Sequence, residues 1–411
     1  MIKRLLKSTF LFSFIGILSC GNTNNQPENS QEETEENKKA NTSSEIITGA
    51  NQTEAYLDFL KNKKIGIVGN QTSVIKSKKA NYTHLVDSLL SLNINIKKVF
   101  APEHGFRGTA DAGEIVKDGI DPKTGLPVIS LYGDNKKPSA ASLENLDLMI
   151  FDIQDVGARF YTYISSLHYI MEACAESNIP LLILDRPNPN GNYIDGPVLE
   201  PEHSSFVGMH PIPVVHGMTI AEYAQMINGE KWLKNGIQCD LKIIEMKNYD
   251  HSKKYSLPVK PSPNLPNDRA INLYPSLCFF EGTNVNAGRG TTNQFQVFGS
   301  PFLDEDLYDY TYIPKSMEGA KYPKHENKKC FGRDLTKEGQ LDFLNLEWLI
   351  QAYQNTEDQN KFFNSFFTKL AGTEILQKQI ENGKSFQEIK DSWKEGLEKF
   401  RNKRAEYLIY P

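Results

Sequence analysis

The 411-residue chain has no Walker sequence and no H-E-x-x-H pair, and its first strand-to-helix turn, Gly66-Ile67-Val68-Gly69-Asn70-Gln71-Thr72, lacks the G-x-G-x-x-G pattern. The phosphate cradle of a nucleotide-binding fold is therefore missing, as is the commonest zinc-hydrolase signature. Cysteine is scarce. Of the five present, Cys174, Cys239, Cys278 and Cys330 are far apart and show no metal-ligand spacing. No cofactor and no metal is expected. Cys174 and Cys278 stand in apolar settings and read as buried free thiols. Long basic runs are absent too, and the net charge of -5 makes nucleic acid an unsuitable partner. There is no internal repeat. The apolar run over residues 10–18 is too short to span a bilayer as a helix.

That run has another meaning. Lys3, Arg4 and Lys7 precede it and Ser19-Cys20 closes it, the layout of a secretory signal. Ile17-Leu18-Ser19-Cys20 also resembles a bacterial lipoprotein box, in which the cysteine becomes the lipid-bearing first residue. Cys20 is thus the expected lipidation site, and residues 1–20 the lipoprotein signal. The expected location is the cell envelope, lipid-anchored, at the periplasmic or outer-membrane face. Residues 21–45 are rich in Asn, Gln, Glu and Ser with almost no large apolar side chain. Such a stretch cannot bury enough surface to offset its ordering entropy and is expected to serve as a disordered tether.

From residue 46 apolar strands alternate with helical patterns. Strands are expected at 64–68, 96–100, 146–151, 180–184 and 241–245, and helices at 84–92 and 163–175. Thr219 followed by Glu222 predicts a capping box at a further helix. This alternation implies an α/β fold, with a Rossmann-like, mostly parallel sheet covered on both faces, over residues 46–255. After that the chain turns rich in Pro and Asn. Residues 256–411 are expected to form a smaller α+β domain that completes a cleft.

The polar loops follow strand ends, which share one edge in a parallel sheet. Asn70 and Gln71 follow the first strand. The second runs into Ala101-Pro102-Glu103-His104-Gly105-Phe106-Arg107-Gly108, where Pro102 stops the strand and Gly105 and Gly108 permit tight turns. The next leads into Asp152, Asp155 and Arg159, and the next into Asp185, Arg186 and Asn188. Carboxylates, amides and guanidinium groups converging there would suit a polyhydroxylated ligand, with Phe106, Phe160, Tyr161 and Tyr163 near enough to stack on a sugar ring. Each has a plainer reading: Asp152 and Asp185 as caps or loop ligands, Arg159 as partner to an acid, His210 and His216 as structural histidines.

Four separated motifs then stand in order: Pro102-Glu103-His104-Gly105, the segment 151–163, Asp185-Arg186-Pro187-Asn188-Pro189, and Glu281-Gly282-Thr283 with Gly288-Arg289-Gly290-Thr291. Together they resemble the exo-β-N-acetylmuramidases (NamZ-like proteins), over essentially everything from residue 50 onward. The resemblance implies a Rossmann-like domain, a smaller C-terminal domain and an active cleft between them. It also implies release of N-acetylmuramic acid (MurNAc) from the non-reducing end of peptidoglycan fragments, with Glu103 catalytic. Glycoside hydrolysis usually needs two carboxyl groups. Glu103 is the expected acid, with Glu114, Asp152 and Asp155 as candidate partners in that order. The expected substrate-binding set is Asn70, Gln71, His104, Arg107, Arg159, Tyr161, Arg186, Asn188 and Arg289, the arginines suiting the lactyl carboxylate of MurNAc. A muropeptide-binding lipoprotein without turnover is the alternative. A metal-dependent hydrolase built on Glu103, His104 and Asp152 is a third.

Overall fold

The computed structural model describes residues 45–76, 81–108, 118–133 and 135–411. The expected signal, nearly all of the tether, Cys20 and Glu114 lie outside the described residues. In chain order the first part contains α1 (Thr53–Leu60), β1 (Ile65–Gly69), the antiparallel pair β2 (Val74–Lys76) and β3 (Tyr82–His84), α2 (Leu85–Ser91) and β4 (Ile96–Ala101). Then come β5 (Gly119–Ile120), β6 (Pro127–Ser130), α3 (Ala140–Leu143), β7 (Leu148–Asp152), α4 (Tyr163–Glu176), β8 (Leu181–Leu184), α5 (Ile220–Gly229) and β9 (Leu241–Ile244). Seven of these strands form one sheet in the order β5-β6-β4-β1-β7-β8-β9. Every neighbouring pair is parallel except β5 with β6.

Strands β1, β7 and β8 are buried along their whole length. Continuous apolar runs such as Leu148-Met149-Ile150-Phe151 are what a sheet covered on both faces requires. Alternate side chains enter opposite layers. Ile65, Ile67, Leu148, Ile150, Leu182 and Leu184 pack with Tyr56 and Leu60 of α1 and with Leu85, Val86 and Leu89 of α2. Met149, Phe151, Leu181 and Ile183 pack in a second cluster with Leu167 and Met171 of α4 and Ala221 and Ala224 of α5. Helix α5 starts at the expected capping box, with both arms formed. Thr219 N–H donates to Glu222 Oε2 (2.8 Å) and Glu222 N–H to Thr219 Oγ1 (3.3 Å).

The second part holds α6 (Asp268–Leu277), β10 (Val297–Ser300), β11 (Tyr310–Tyr312), β12 (Cys330–Asp334), α7 (Glu347–Gln354), α8 (Phe367–Ala371), α9 (Ile375–Glu381) and α10 (Phe386–Ala405). Its strands make a small antiparallel sheet in the order β10-β12-β11. The cluster under α4 and α5 continues into this part through Leu273, Phe279, Phe298, Trp348, Phe367 and Ile389. From Glu45 to Pro411 the chain is one contact unit. Cys174, Cys239, Cys278 and Cys330 are all buried free thiols.

The C-terminus is locked onto the large sheet. Tyr410 O–H donates to Asp185 Oδ2 (2.8 Å) just beyond β8, and Ala221 N–H donates to Asp185 Oδ1 (3.0 Å). Glu222 Oε1 accepts the N–H groups of Ile409 (3.0 Å) and Tyr410 (3.2 Å) and lies 3.0 Å from His251 Nε2. Burial, and then the neighbouring Glu222 carboxylate, push the pKa of Asp185 up to about 7. The folded chain therefore holds a proton on Asp185 at a pH where the unfolded chain, with a carboxyl pKa of about 3.9, has released it. The stability this confers is complete below about pH 4 and is lost as pH rises through the folded value of about 7. Asp185→Asn keeps the shape without the titration. The melting-temperature advantage of the wild type over the variant should therefore be largest near pH 4 and shrink to its minimum above about pH 7. A gap that stays constant over that range would show that Asp185 does not titrate with folding.

Candidate functional site

Strand β4 ends at Ala101 and hands the chain to the loop carrying Glu103. His104 (φ 71°), Gly105 (φ 76°) and Gly108 (φ 74°) all have left-handed backbone. The two glycines meet that requirement without strain, whereas a histidine in this region is uncommon. His104 itself is buried, at 4% exposure, while Glu103 is half-buried. Thr162 O–H, at the N-terminus of α4, donates to Glu103 Oε2 (3.1 Å). The Tyr132 hydroxyl, beyond β6, stands beside the same carboxylate. Burial first, and Glu103 second, raise its pKa above the ordinary phenol range.

Glu103 opens onto a cavity of about 880 Å³ whose walls come from both parts of the chain. Its floor holds the buried side chains Phe160, Tyr274 and Cys278. Its far wall holds Glu281, Asn286, Arg289 and Lys324, and its rim Phe206, Tyr322 and Phe366. Among the described residues, Glu103 and Glu281 are the two carboxylates lining it.

The far wall is a charged network. Arg289 Nε donates to Glu281 Oε1 (2.7 Å), and the guanidinium lies 5.1 Å from the Phe295 ring centre. Burial works against both charges of that pair but is outweighed. Arg289 and Lys324 hold Glu281 below the usual carboxylate range, and Glu281 keeps Arg289 fully protonated. Lys324 Nζ donates to the carbonyls of Phe280 (2.9 Å), Thr283 (2.6 Å) and Val285 (2.9 Å). Burial lowers its pKa. Asn286 Nδ2 ties the wall together through the carbonyls of Arg289 (3.1 Å) and Lys324 (2.8 Å). The two terminal nitrogens of Arg289 make no hydrogen bond to a described residue, and a quarter of the side chain (25%) is exposed. A fork oriented by its Nε and open at its tip suits bidentate binding of a carboxylate.

The remaining expected site residues are placed elsewhere. Asp152 is fully buried at the end of β7, where Arg186 donates to both its oxygens, from Nε (2.6 Å) and Nη2 (3.0 Å). Neither side chain lines the cavity; Arg186 Nη2 also donates to the Val74 carbonyl (3.0 Å). Arg159 is fully buried and pairs with no acid among the described residues. Its Nη1 donates to the carbonyls of Pro197 (2.8 Å) and Ile212 (2.7 Å), and its Nη2 to those of Leu370 (2.9 Å) and Ala371 (2.7 Å). Burial draws its pKa down to about 9. Arg107 is held by Asp121 (2.8 Å) and Asp87 (3.1 Å) over the Phe106 ring.

The polar loop residues close the sheet edge from within. Asn70 accepts the Thr72 N–H (2.9 Å) and donates to Tyr163 O–H (2.9 Å). Asp155 accepts the Gly157 N–H (2.7 Å) and lies 3.6 Å from His216 Nε2. Asn188 bridges the Met218 carbonyl (2.9 Å) and the Asn190 N–H (2.8 Å). Gln71 and Tyr161 both reach the carbonyl of Pro261, at 3.1 and 2.7 Å. Of the expected set, the cavity thus gathers Glu103 and Arg289. Of the four aromatics expected to stack, it gathers Phe160. Tyr132, Thr162, Glu281, Asn286 and Lys324 are additions. Glu281 had a signal, since it opens the motif that contains Arg289 eight positions on. Thr162 lies within the motif segment 151–163 and Asn286 between the halves of the Glu281 motif, whereas Tyr132 and Lys324 had no signal, because only the chain's tertiary path brings them to the cavity.

Two family profiles match in tandem: "Exo-beta-N-acetylmuramidase NamZ, N-terminal" over residues 65–269 and "Exo-beta-N-acetylmuramidase NamZ, C-terminal" over residues 272–410. The chain is similar to the "Peptidoglycan beta-N-acetylmuramidase NamZ" of Bacillus subtilis (strain 168). The two are 40% identical over 374 residues, which cover 86% of this chain and 89% of the relative. Two crystal structures of DUF1343 family proteins from Bacteroides fragilis NCTC 9343 are similar in fold. One is 48% identical with a TM-score of 0.82, the other 26% identical with a TM-score of 0.72. Each comparison covers 89% of this chain and 99% of the solved one. With both halves of the family pattern matched in order, and Glu103 and Arg289 brought to one cavity, this chain belongs to the NamZ exo-β-N-acetylmuramidase family.

Proposed function

We propose that this protein is an exo-acting glycoside hydrolase that releases MurNAc from the non-reducing end of peptidoglycan fragments. The observation that carries the reading is one cavity holding both Glu103 and the open fork of Arg289. MurNAc differs from N-acetylglucosamine by its lactyl carboxylate, and Arg289 is the group placed to receive it. Glu281 acts on Arg289 as counter-ion, holding Nε so that the terminal nitrogens face the ligand. Arg159, Arg186 and Arg107 are held by protein groups and do not line the cavity, which selects Arg289 among the arginines.

Glu103 is the general acid. Its carboxyl proton passes to the glycosidic oxygen as the bond from the anomeric carbon to that oxygen breaks, so the departing sugar leaves as a neutral alcohol. Thr162 holds one carboxyl oxygen, which fixes the direction of transfer. The reaction needs a second carboxylate, as nucleophile or as base for water. Asp152 and Asp155 do not line the cavity. Glu114 remains the partner favoured by sequence, and Glu281, which with Glu103 lines the cavity, becomes a second candidate.

The lipoprotein form is part of the same proposal. It is supported by the box Ile17-Leu18-Ser19-Cys20 and the polar segment that follows. Among the described residues, no helix is long and apolar enough to cross a membrane. A lipid on Cys20 would hold the enzyme at the cell envelope, where peptidoglycan fragments arise.

Glu103→Gln should lower kcat on a natural MurNAc disaccharide by about 10²–10⁴-fold while ligand binding persists. Near-wild-type turnover would move the acid to another residue, and binding without any turnover by the wild type would favour the muropeptide-binding alternative. The wild type should hydrolyse the β-glycoside of MurNAc roughly tenfold to a hundredfold better than that of N-acetylglucosamine, the worth of one charged hydrogen-bonded contact. Arg289→Ala should close most of that gap, and an unchanged ratio of kcat/KM values would sink the assignment. Cys20→Ser should abolish incorporation of labelled fatty acid in cells. Absence of label in the wild type would refute the anchor.

A further inference from the structure

Tyr322 is 90% exposed, more open than any other large apolar side chain among the described residues. It stands on the rim of the cavity that holds Glu103 and Arg289. Packing does not account for a ring in that position, and mobility of its backbone does not either. On one side, Met317 and Ala320 form a two-way bridge (3.1 and 3.0 Å), and Asn264 Nδ2 donates to the Gly319 carbonyl (2.7 Å). On the other, Pro323 is buried against Gly290, so closely that a Cβ there would lie 2.7 Å from the proline ring. Lys324 then anchors the chain through its three carbonyl bonds. An open aromatic ring on a backbone held at both ends is a preformed platform.

The cavity has a direction. Its floor is closed by Phe160, Tyr274 and Cys278, each less than a tenth exposed. Its mouth carries Tyr322, Phe366 at 36% exposure and the half-buried Phe206. Phe206 is itself braced by Lys136, whose ammonium lies 4.8 Å from the ring centre. A terminal sugar that places its carboxylate on Arg289 and its glycosidic oxygen on Glu103 occupies the interior, so the remainder of the substrate leaves by the mouth. There it meets aromatic faces. A pyranose presents an apolar face of C–H groups, and covering one face of an exposed ring with it removes apolar area from both.

We propose that Tyr322 forms the subsite for the leaving sugar, stacking on the residue that follows MurNAc. This inference rests on the glycosidase reading above and adds to it the residue that discriminates by aglycone. The subsite makes the rate on a disaccharide depend on Tyr322, while a substrate whose leaving group is a single atom does not feel it.

The test compares the disaccharide of MurNAc and N-acetylglucosamine with β-MurNAc fluoride, using the full chain and its variants Tyr322→Ala and Tyr322→Phe. Area bookkeeping for one ring face gives a fall of roughly fivefold to tenfold in kcat/KM on the disaccharide for Tyr322→Ala, carried mainly by KM. The fluoride should be unaffected, and Tyr322→Phe should restore the disaccharide rate. An unchanged disaccharide rate in Tyr322→Ala, or an equal loss on both substrates, overturns the subsite. A loss seen only when the substrate carries a stem peptide assigns the ring to the peptide and also overturns it. If the wild type hydrolyses neither substrate, the glycosidase reading itself fails. If it hydrolyses both and Tyr322→Ala is neutral, only the subsite does.

Discussion

The guanidinium of Arg159 is the constraint on which the site depends. It is fully buried, faces no carboxylate among the described residues, and its two terminal nitrogens are satisfied by four backbone carbonyls, two from the segments at Pro197 and Ile212 and two from the end of α8 at Leu370 and Ala371. A buried cation without a counter-charge is tolerated only where hydrogen bonds replace its water. Here those bonds fix where α8 sits relative to the segment 158–163. Gly372 shows how tight the junction is. Its φ is 72°, and a Cβ there would lie 2.7 Å from Arg159 Nη2. The consequence reaches the cavity, because Phe160 follows Arg159 directly and Leu370 and Phe366 belong to the clamped helix and its start. The floor and one side of the mouth are positioned by a residue that does not itself line the cavity.

The carboxyl ends of β1 and β7 lie where the strand order reverses, the place where open α/β sheets usually bind ligands. In this chain that place is occupied by its own side chains. Ser73 O–H bonds the Asp152 carbonyl, Gln154 N–H bonds Thr72 Oγ1 (3.1 Å), and the Asp152–Arg186 pair lies under them. The cavity is displaced toward β4 and β6, to Glu103 and Tyr132, and is walled by the second part of the chain. The interior ion pair, the Asn70 turn and the amide contacts of Asn188 thus serve the same end. They fill the usual crevice with satisfied polar groups and leave chemistry to the neighbouring loop.

Much of the fold was legible in the residues. Strands expected at 64–68, 96–100, 180–184 and 241–245 match β1, β4, β8 and β9 to within a residue at each end, the strand expected at 146–151 matches β7 to within two, and the helix expected at 163–175 is α4. The reason is local: buried parallel strands are written as unbroken apolar runs, and the Thr219 capping box needs only residues three apart. The chemical character of the Glu103 loop was legible for the same reason, since Pro102, Gly105 and Gly108 act through their own backbone.

Element order, the α/β class, the loop carrying Glu103 and the kinship carried by its motifs were therefore written in the residues alone. Which polar residues share the site was decided only by the tertiary structure. Arg159, Arg186 and Arg289 are indistinguishable as letters, each polar and near a glycine- or proline-shaped loop. Their roles differ because one meets four carbonyls, one meets Asp152, and one keeps its tip open beside Glu281. Tyr132, Glu281 and Tyr322 come to Glu103 from positions up to the far half of the chain. Burial and partner choice are properties of the packed assembly, since a charge in an interior is set by which donors and acceptors surround it, and no spacing along the chain records that.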